Sequence, residues 1–256
     1  MKISICIPVM GISSAKVLCS ALHSILLQEY NDVELILQDG DPERSIVSDS
    51  HVDLLLSLFD FKYAVGRDGG IFDAVNKCLQ QSTGNILYFM CSDDLLCPGA
   101  LTAVNAAFEA ERFGGPYWLY GQTVSADVTG KTLGVDGAPT TYEQLLERNC
   151  IGEPAVFWNR QLMELAGKFD LRYRHAADYE LWLRFWERRE PLFLEQTLGI
   201  FRHHADQHSK VNAAALEVEA KKISTRHQNF SGLITRAHNV LALRRSYPDG
   251  IPESGN

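Results

Sequence analysis

Short apolar runs alternate with helical spacing along the first half of the chain. Ile3 to Val9 is a compact run rich in Ile and Val, which suits a buried strand. Leu18, Ala21, Leu22 and Ile25 then recur at i, i+3, i+4 and i+7, one face of a helix, with Ser13 or Ser14 placed to cap it. The same reading gives a strand at 33–37, a helix at 52–59, a strand at 61–65, a helix at 71–81 and a fully apolar strand at 86–91. Pro98 opens an Ala-rich helix running to about Arg112. Strands alternating with helices imply right-handed crossovers and a mainly parallel sheet covered on both faces.

After residue 115 the pattern changes. A strand is expected at 117–124, a hairpin turn at Asp127-Val128-Thr129-Gly130-Lys131, helices near 142–148 and 178–188, and a strand near 192–201. From Asn212 onward the chain is polar and helical, and it ends in a Pro/Gly/Ser tail expected to fray. The simplest account is one α/β domain over 1–209, with a C-terminal helical extension and tail over 210–256.

Composition narrows the function. With 256 residues, 46% of them hydrophobic, the chain can bury a substantial core without staples. The formal net charge of −8 and the lack of a long basic run exclude a sequence-independent nucleic-acid binder. An anion could still be held locally, through a metal ion or backbone N–H groups. None of the six cysteines forms a C-x-x-C pair, so they read as reduced thiols rather than a disulfide framework or zinc site. The N-terminal apolar run is too short for a signal peptide, and no segment approaches the ~18 apolar residues of a membrane span. These features point to a cytoplasmic protein, with peripheral attachment to the inner face of a membrane left open.

Three partial motifs fail. Gly130-Lys131-Thr132 lacks the earlier glycine of a phosphate-binding loop, because Ser125 stands there, and it reads as a turn. Gly66, Gly69 and Gly70 have the wrong spacing and place for a dinucleotide fingerprint. His204 and His208 stand four apart, but Ala205 occupies the position of the glutamate that a zinc hydrolase needs.

Parallel α/β sheets bind ligands at the carboxyl ends of their strands. Those ends read Pro8-Val9-Met10, Gln38-Asp39-Gly40-Asp41, Gly66-Arg67-Asp68-Gly69-Gly70 and Ser92-Asp93-Asp94. Crowding carboxylates on one edge is costly without a counter-charge, and a hard divalent cation such as Mg²⁺ or Mn²⁺ supplies one. The plainer reading of Asp93 and Asp94 is a turn before Pro98.

Five segments occur in order: Ile5-Cys6-Ile7-Pro8, Ser24-Ile25-Leu26-Leu27-Gln28-Glu29-Tyr30, Glu34-Leu35-Ile36-Leu37-Gln38-Asp39-Gly40, Gly70-Ile71-Phe72-Asp73-Ala74-Val75-Asn76-Lys77, and Thr83-Gly84-Asn85 running through to Ser92-Asp93-Asp94. Together they resemble the family 2 glycosyltransferases. The likeness is strong over about residues 1–105 and looser through Asp178-Tyr179-Glu180-Leu181-Trp182 to about residue 209. The resemblance implies a GT-A-type α/β fold: a mainly parallel sheet flanked by helices, with a Rossmann-like nucleotide-binding half at 1–115 and an acceptor half at 116–209. It also implies sugar transfer with inversion from a nucleotide donor, UDP-linked by expectation, to a hydroxyl acceptor, in polysaccharide or glycoconjugate assembly with Mn²⁺ or Mg²⁺.

Carried over by residue, the resemblance sets Asp39 against the nucleobase, Pro8 and Val9 along the base and ribose, and Arg67 and Asp68 at the nucleotide edge. Ser92-Asp93-Asp94 falls where the family has its Asp-x-Asp motif. Asp94 is then the metal ligand, and Asp93 contacts ribose, sugar or metal-bound water. Asp178 matches the catalytic base, although an Asp at a helix start also serves as a cap. Glu180 and Glu153 are substitutes; Glu180, two residues on, points elsewhere in a helix, and Glu153 is weaker still. His203, with His204 and His208, either closes over the metal and diphosphate or forms a solvated cluster. Trp182 and Trp186 read as core.

The pattern is not complete. Gln38 replaces the first acid of the usual pair, Asp41 stands where Ser is common, Asn85 replaces a frequent Asp, and Ser92 replaces the first acid of Asp-x-Asp. The rival function is a catalytically inactive nucleotide-sugar-binding partner subunit. A sugar nucleotidyltransferase is disfavoured, because Met10-Gly11-Ile12-Ser13-Ser14 holds one glycine and no Arg.

Overall fold

Seven consecutive residues from Ile3 to Val9 are buried and form β1, the central strand of the amino-terminal half. The structure is a computed structural model that describes residues 1–111, 114–205 and 207–246, with side chains as far as Asn229. After β1 the chain forms α1 (Ala15–Leu26), β2 (Val33–Asp39), α2 (Ser50–Leu56), β3 (Asp60–Val65), α3 (Ile71–Gln81) and β4 (Ile86–Phe89). These four strands are parallel in the order β3-β2-β1-β4, the crossover arrangement the alternating pattern predicts. Val9 pairs with Asp39 and Asp39 with Val65, so three strands end level on one edge.

The second half is mixed rather than parallel. A two-residue strand, β5 (Leu95–Leu96), precedes α4 (Ala100–Ala110); then come β6 (Trp118–Asp127) and β7 (Thr132–Asp136), the expected hairpin. Next are α5 (Tyr142–Glu147), β8 (Val156–Asn159), α6 (Arg160–Ala166), α7 (Ala177–Trp186), β9 (Leu192–His203), the short α8 (His208–Val211) and α9 (Ala213–Ser246). β8 runs antiparallel to both β4 and β6, β6 is parallel to β9, and β5 is antiparallel to β9.

β5, β8 and α6 are additions to the sequence expectation. Three apolar residues and an asparagine are too few to show the alternation of a strand, and β8 is read only through its partners on both sides. Asn159 at its end caps α6, its side chain accepting from the Leu162 amide at 3.0 Å. The expected frayed tail at 247–256 lies outside the described residues.

The sheet separates two apolar layers. One packs α1, α2 and α4 against side chains such as Ile3, Ile5, Ile7, Leu35 and Leu37. The other packs α3 and α5–α7 around Trp118, Trp158 and Trp182, all fully buried, and it takes in Ile223 of α9. Trp182 is core, as expected, and α9 is built into the domain. No described helix is long and apolar enough to cross a membrane.

Candidate active site

The carboxyl edge of β1–β4 opens on a cavity of about 900 Å³, within the range of small-molecule sites. Pro8, Val9 and Asp68 line it from the amino-terminal half, as do Ser92, Asp93 and Asp94. Glu153, Asp178 and the histidines 175, 203, 204 and 208 face it from the other half.

Asp39 sits elsewhere than the resemblance implies. It is wholly buried, and it is not part of the cavity wall. Its Oδ1 accepts from the Gly11 amide at 2.7 Å and the Asp41 amide at 3.0 Å; its Oδ2 accepts from the Ile46 amide at 2.7 Å and the Tyr63 hydroxyl at 2.8 Å. A carboxylate has about four acceptor positions, so none is left for a base. Asp39 instead ties the loop after β1 to the loop after β2. Gly11 makes this possible: its φ is +58°, and a Cβ there would overlap the Arg44 carbonyl. Arg67 is also off the cavity. Its side chain is 80% exposed and lies 3.3 Å from Glu43, a surface pair of little energetic weight.

Asp93 and Asp94 do form the turn that the plainer reading gives, with the Asp94 amide bonded to the Cys91 carbonyl at 3.1 Å. The pairing of β5 with β9 immediately after fixes that turn against the sheet. Asp94 is 1% exposed. Burial, and then the neighbouring charge of Asp93, pushes its carboxyl well above the ordinary range. Arg202 opposes this: its amide donates to Asp94 Oδ1 at 3.2 Å, and its guanidinium donates to the carbonyls of Asp93 and Val17. Asp93 itself bonds His204 Nε2 through Oδ2 at 2.8 Å.

Glu153 belongs to the same cluster. It sits on a 3-10 turn, Glu153–Ala155, held tight by β9. A Cβ at Gly199 would overlap the Pro154 carbonyl, so glycine lets the two backbones touch. Burial, then the charges of Asp94 and Asp178, raises the Glu153 carboxyl strongly, and its buried Oε1 has no hydrogen-bond partner. Cys91, Asp94 and Glu153 each bring a ligand atom within 4.8 Å of the others. Burial pushes the Cys91 thiol up, so it stays protonated and suits a hard cation poorly. The carboxylates of Asp94 and Glu153, the latter through its orphaned Oε1, fit one Mg²⁺ or Mn²⁺ ion. His203 lines the cavity, edge-on to Phe201 at 5.0 Å, but it is not part of that group among the described residues.

Asp178 is the second residue of α7 and lines the cavity. Burial raises its carboxyl to about 6, against the pull of hydrogen bonds from its own amide, the Tyr179 amide and the Asn149 side chain. Ala176, not Asp178, is the N-cap residue. Glu180 points away, as its position in the helix predicts. Burial drives its carboxyl up, but bonds to His227 and Arg184 bring it below the ordinary value. Sequence reasoning missed Asn149, His175 and Arg202. None stands in a spaced motif, and only the folding of the second half over the sheet edge brings them in.

The mixed α/β sheet flanked by helices, with its cavity at the carboxyl edge, has the GT-A type of fold. Residues 4–130, just under half of the chain, match the model of Glycosyl transferase family 2. The chain is 29% identical over 183 residues to a PGL/p-HBAD biosynthesis glycosyltransferase of Mycobacterium bovis, an alignment covering 71% of this chain and 68% of that protein. It is 28% identical over 224 residues to the uncharacterized protein MT1568 of Mycobacterium tuberculosis, covering 79% and 67%. Staphylococcus aureus TarS residues 1–349 in complex with UDP-GlcNAc superpose with a TM-score of 0.63 at 17% identity, covering 82% of this chain and 61% of that one. The same protein in complex with UDP gives 0.62 at 16% identity, covering 86% and 65%. At that identity the likeness shows the fold, and this chain spans less than two thirds of those solved chains.

Proposed function

We propose that the protein transfers a sugar from a UDP-linked donor to an acceptor hydroxyl with inversion, the donor seated against residues 1–115 and the acceptor against 116–209. The observation that carries the reading is the shared cavity: a pair of carboxylates suited to one divalent ion, with a separate carboxyl at Asp178 that burial raises to about 6. The complexes of TarS with UDP-GlcNAc and UDP support the donor class. The name of the mycobacterial relative supports a place in glycoconjugate assembly. Six free cysteines favour a reducing, cytoplasmic setting, and we assign the acceptor no attachment to the membrane face beyond that expectation.

Asp94 and Glu153 would hold Mn²⁺ or Mg²⁺, which when bound neutralises negative charge on a diphosphate leaving group. Pro8, Val9 and Asp68 border the space for the nucleoside, while Ser92 and Asp93 border the space for ribose and sugar. His204 holds Asp93 in place. Asp178, ionised above its raised pKa, accepts the proton of the acceptor hydroxyl as that oxygen bonds to the anomeric carbon and the bond to the diphosphate breaks. The cost of burying these carboxylates is consistent with a site built for charge rather than for stability.

D178N should preserve nucleotide binding and cut turnover by about 10²–10⁴-fold. Single-turnover release of UDP also separates this reading from an inactive binding partner. A D178N protein that turns over normally removes Asp178 as the base.

A further inference from the structure

The amino end of α7 has no side-chain cap of its own; Ala176 stands at the N-cap. Its partner comes from α9, 43 residues on. Glu219 Oε1 accepts from the Arg174 amide at 2.9 Å, and Oε2 accepts from the amides of His175 at 2.7 Å and Ala176 at 3.1 Å. Three successive N–H groups form a concavity that suits an anion, and a helix start favours negative charge. Beyond Ala177, the amides of Asp178 and Tyr179 turn to the Asp178 carboxylate. The strap leading into α7 is thus held by one carboxylate so that its first turn presents another. α9 is in turn fixed by the buried Ile223, by Ser224 Oγ donating to the Leu146 carbonyl at 2.6 Å, and by His227 at 2.9 Å from Glu187.

We infer that Glu219 is a positioning residue for Asp178: by filling the backbone concavity at residues 174–176 it makes the carboxy-terminal helix part of the active site. The catalytic side of this inference rests on Asp178 acting as the base. The neighbouring acid of α9, Glu217, is exposed and provides the control.

Hydrogen exchange and kinetics on the full chain test it together. In E219A, exchange at the amides of 174–176 and also of 178 and 179 should quicken at least tenfold; E219Q, keeping one acceptor oxygen, should fall between, and E217A should match the wild type. With UDP-GlcNAc as the probe and water as acceptor, E219A should lower kcat at least tenfold, leave KM within twofold, and make D178N no slower when the two are combined. Unchanged protection at 178 and 179 in a folded E219A or E219Q overturns the inference, as does an E219A loss that adds to that of D178N. If the wild type releases no UDP, or D178N matches it, the proposed function fails, and the exchange result alone decides the role of Glu219.

Discussion

Asp39 and Asp178 are both carboxylates at the edge of the same sheet, and their surroundings give them opposite work. Asp39 meets four donors and no solvent, so it holds two loops together. D39N keeps the shape but turns an amide NH₂ toward N–H donors. It should destabilise the protein by about 2–4 kcal/mol, from hydrogen bonds to a charged group worth roughly 1.5–3 kcal/mol each, as read from urea melts; a loss under 0.5 kcal/mol would show that the network is slack. Asp178 has fewer donors, and burial dominates, lifting it to about 6. The base form is the ionised one, so kcat should fall as pH drops through about 6, with a slope of one. A rate that is flat between pH 5 and 7 would assign the proton to another group.

The elements of the amino-terminal half were legible because each is long enough to show its period. β1, α1 and α3 follow directly from Ile3–Val9, the i, i+3, i+4 spacing and Ile71–Gln81. The acid cluster was legible in part: Asp93 and Asp94 stand at a strand end that the pattern locates. Glu153 was not, because its place depends on the turn before β8 packing against β9, and a four-residue strand leaves no periodic trace. At Asp39, likewise, sequence gives the strand end but not the donors that converge on it. The contact of β9 with the Glu153–Ala155 turn makes Gly199 the sharpest test at this scale. G199A forces a methyl group into the Pro154 carbonyl, and overpacking of this kind costs about 1–3 kcal/mol. Thermal melts should show that loss, together with weaker Mn²⁺ binding as Glu153 shifts; an unchanged melt would mean that the turn yields freely.

Across the whole molecule the cavity gathers charge that the fold does not neutralise. Asp94, Glu153 and Asp178 all sit above their ordinary pKa values, chiefly through burial. The folded state therefore binds more protons than the unfolded chain above about pH 4, where model carboxylates have released theirs, so stability should fall as pH rises through 6. His227, raised by its bonds to Glu180 and Glu187 although burial works against it, adds to that trend; His208, lowered by burial, opposes it. Saturating Mn²⁺ should reverse the slope, because the ion binds the ionised folded site and stabilises it by mass action. Melting temperatures measured from pH 5 to 8, with and without Mn²⁺, check the sign; parallel curves would argue that these carboxyls hold no ion.

Asp94 and its partner carboxylate are proposed to hold a cation against a diphosphate, and calorimetric titration of UDP into the protein reads this most directly. With Mn²⁺ saturating, the wild type and D178N should both give binding heat, and the chelated wild type and D94N should give little or none. Equal binding by D94N, or no heat from the Mn²⁺-loaded wild type, would contradict it.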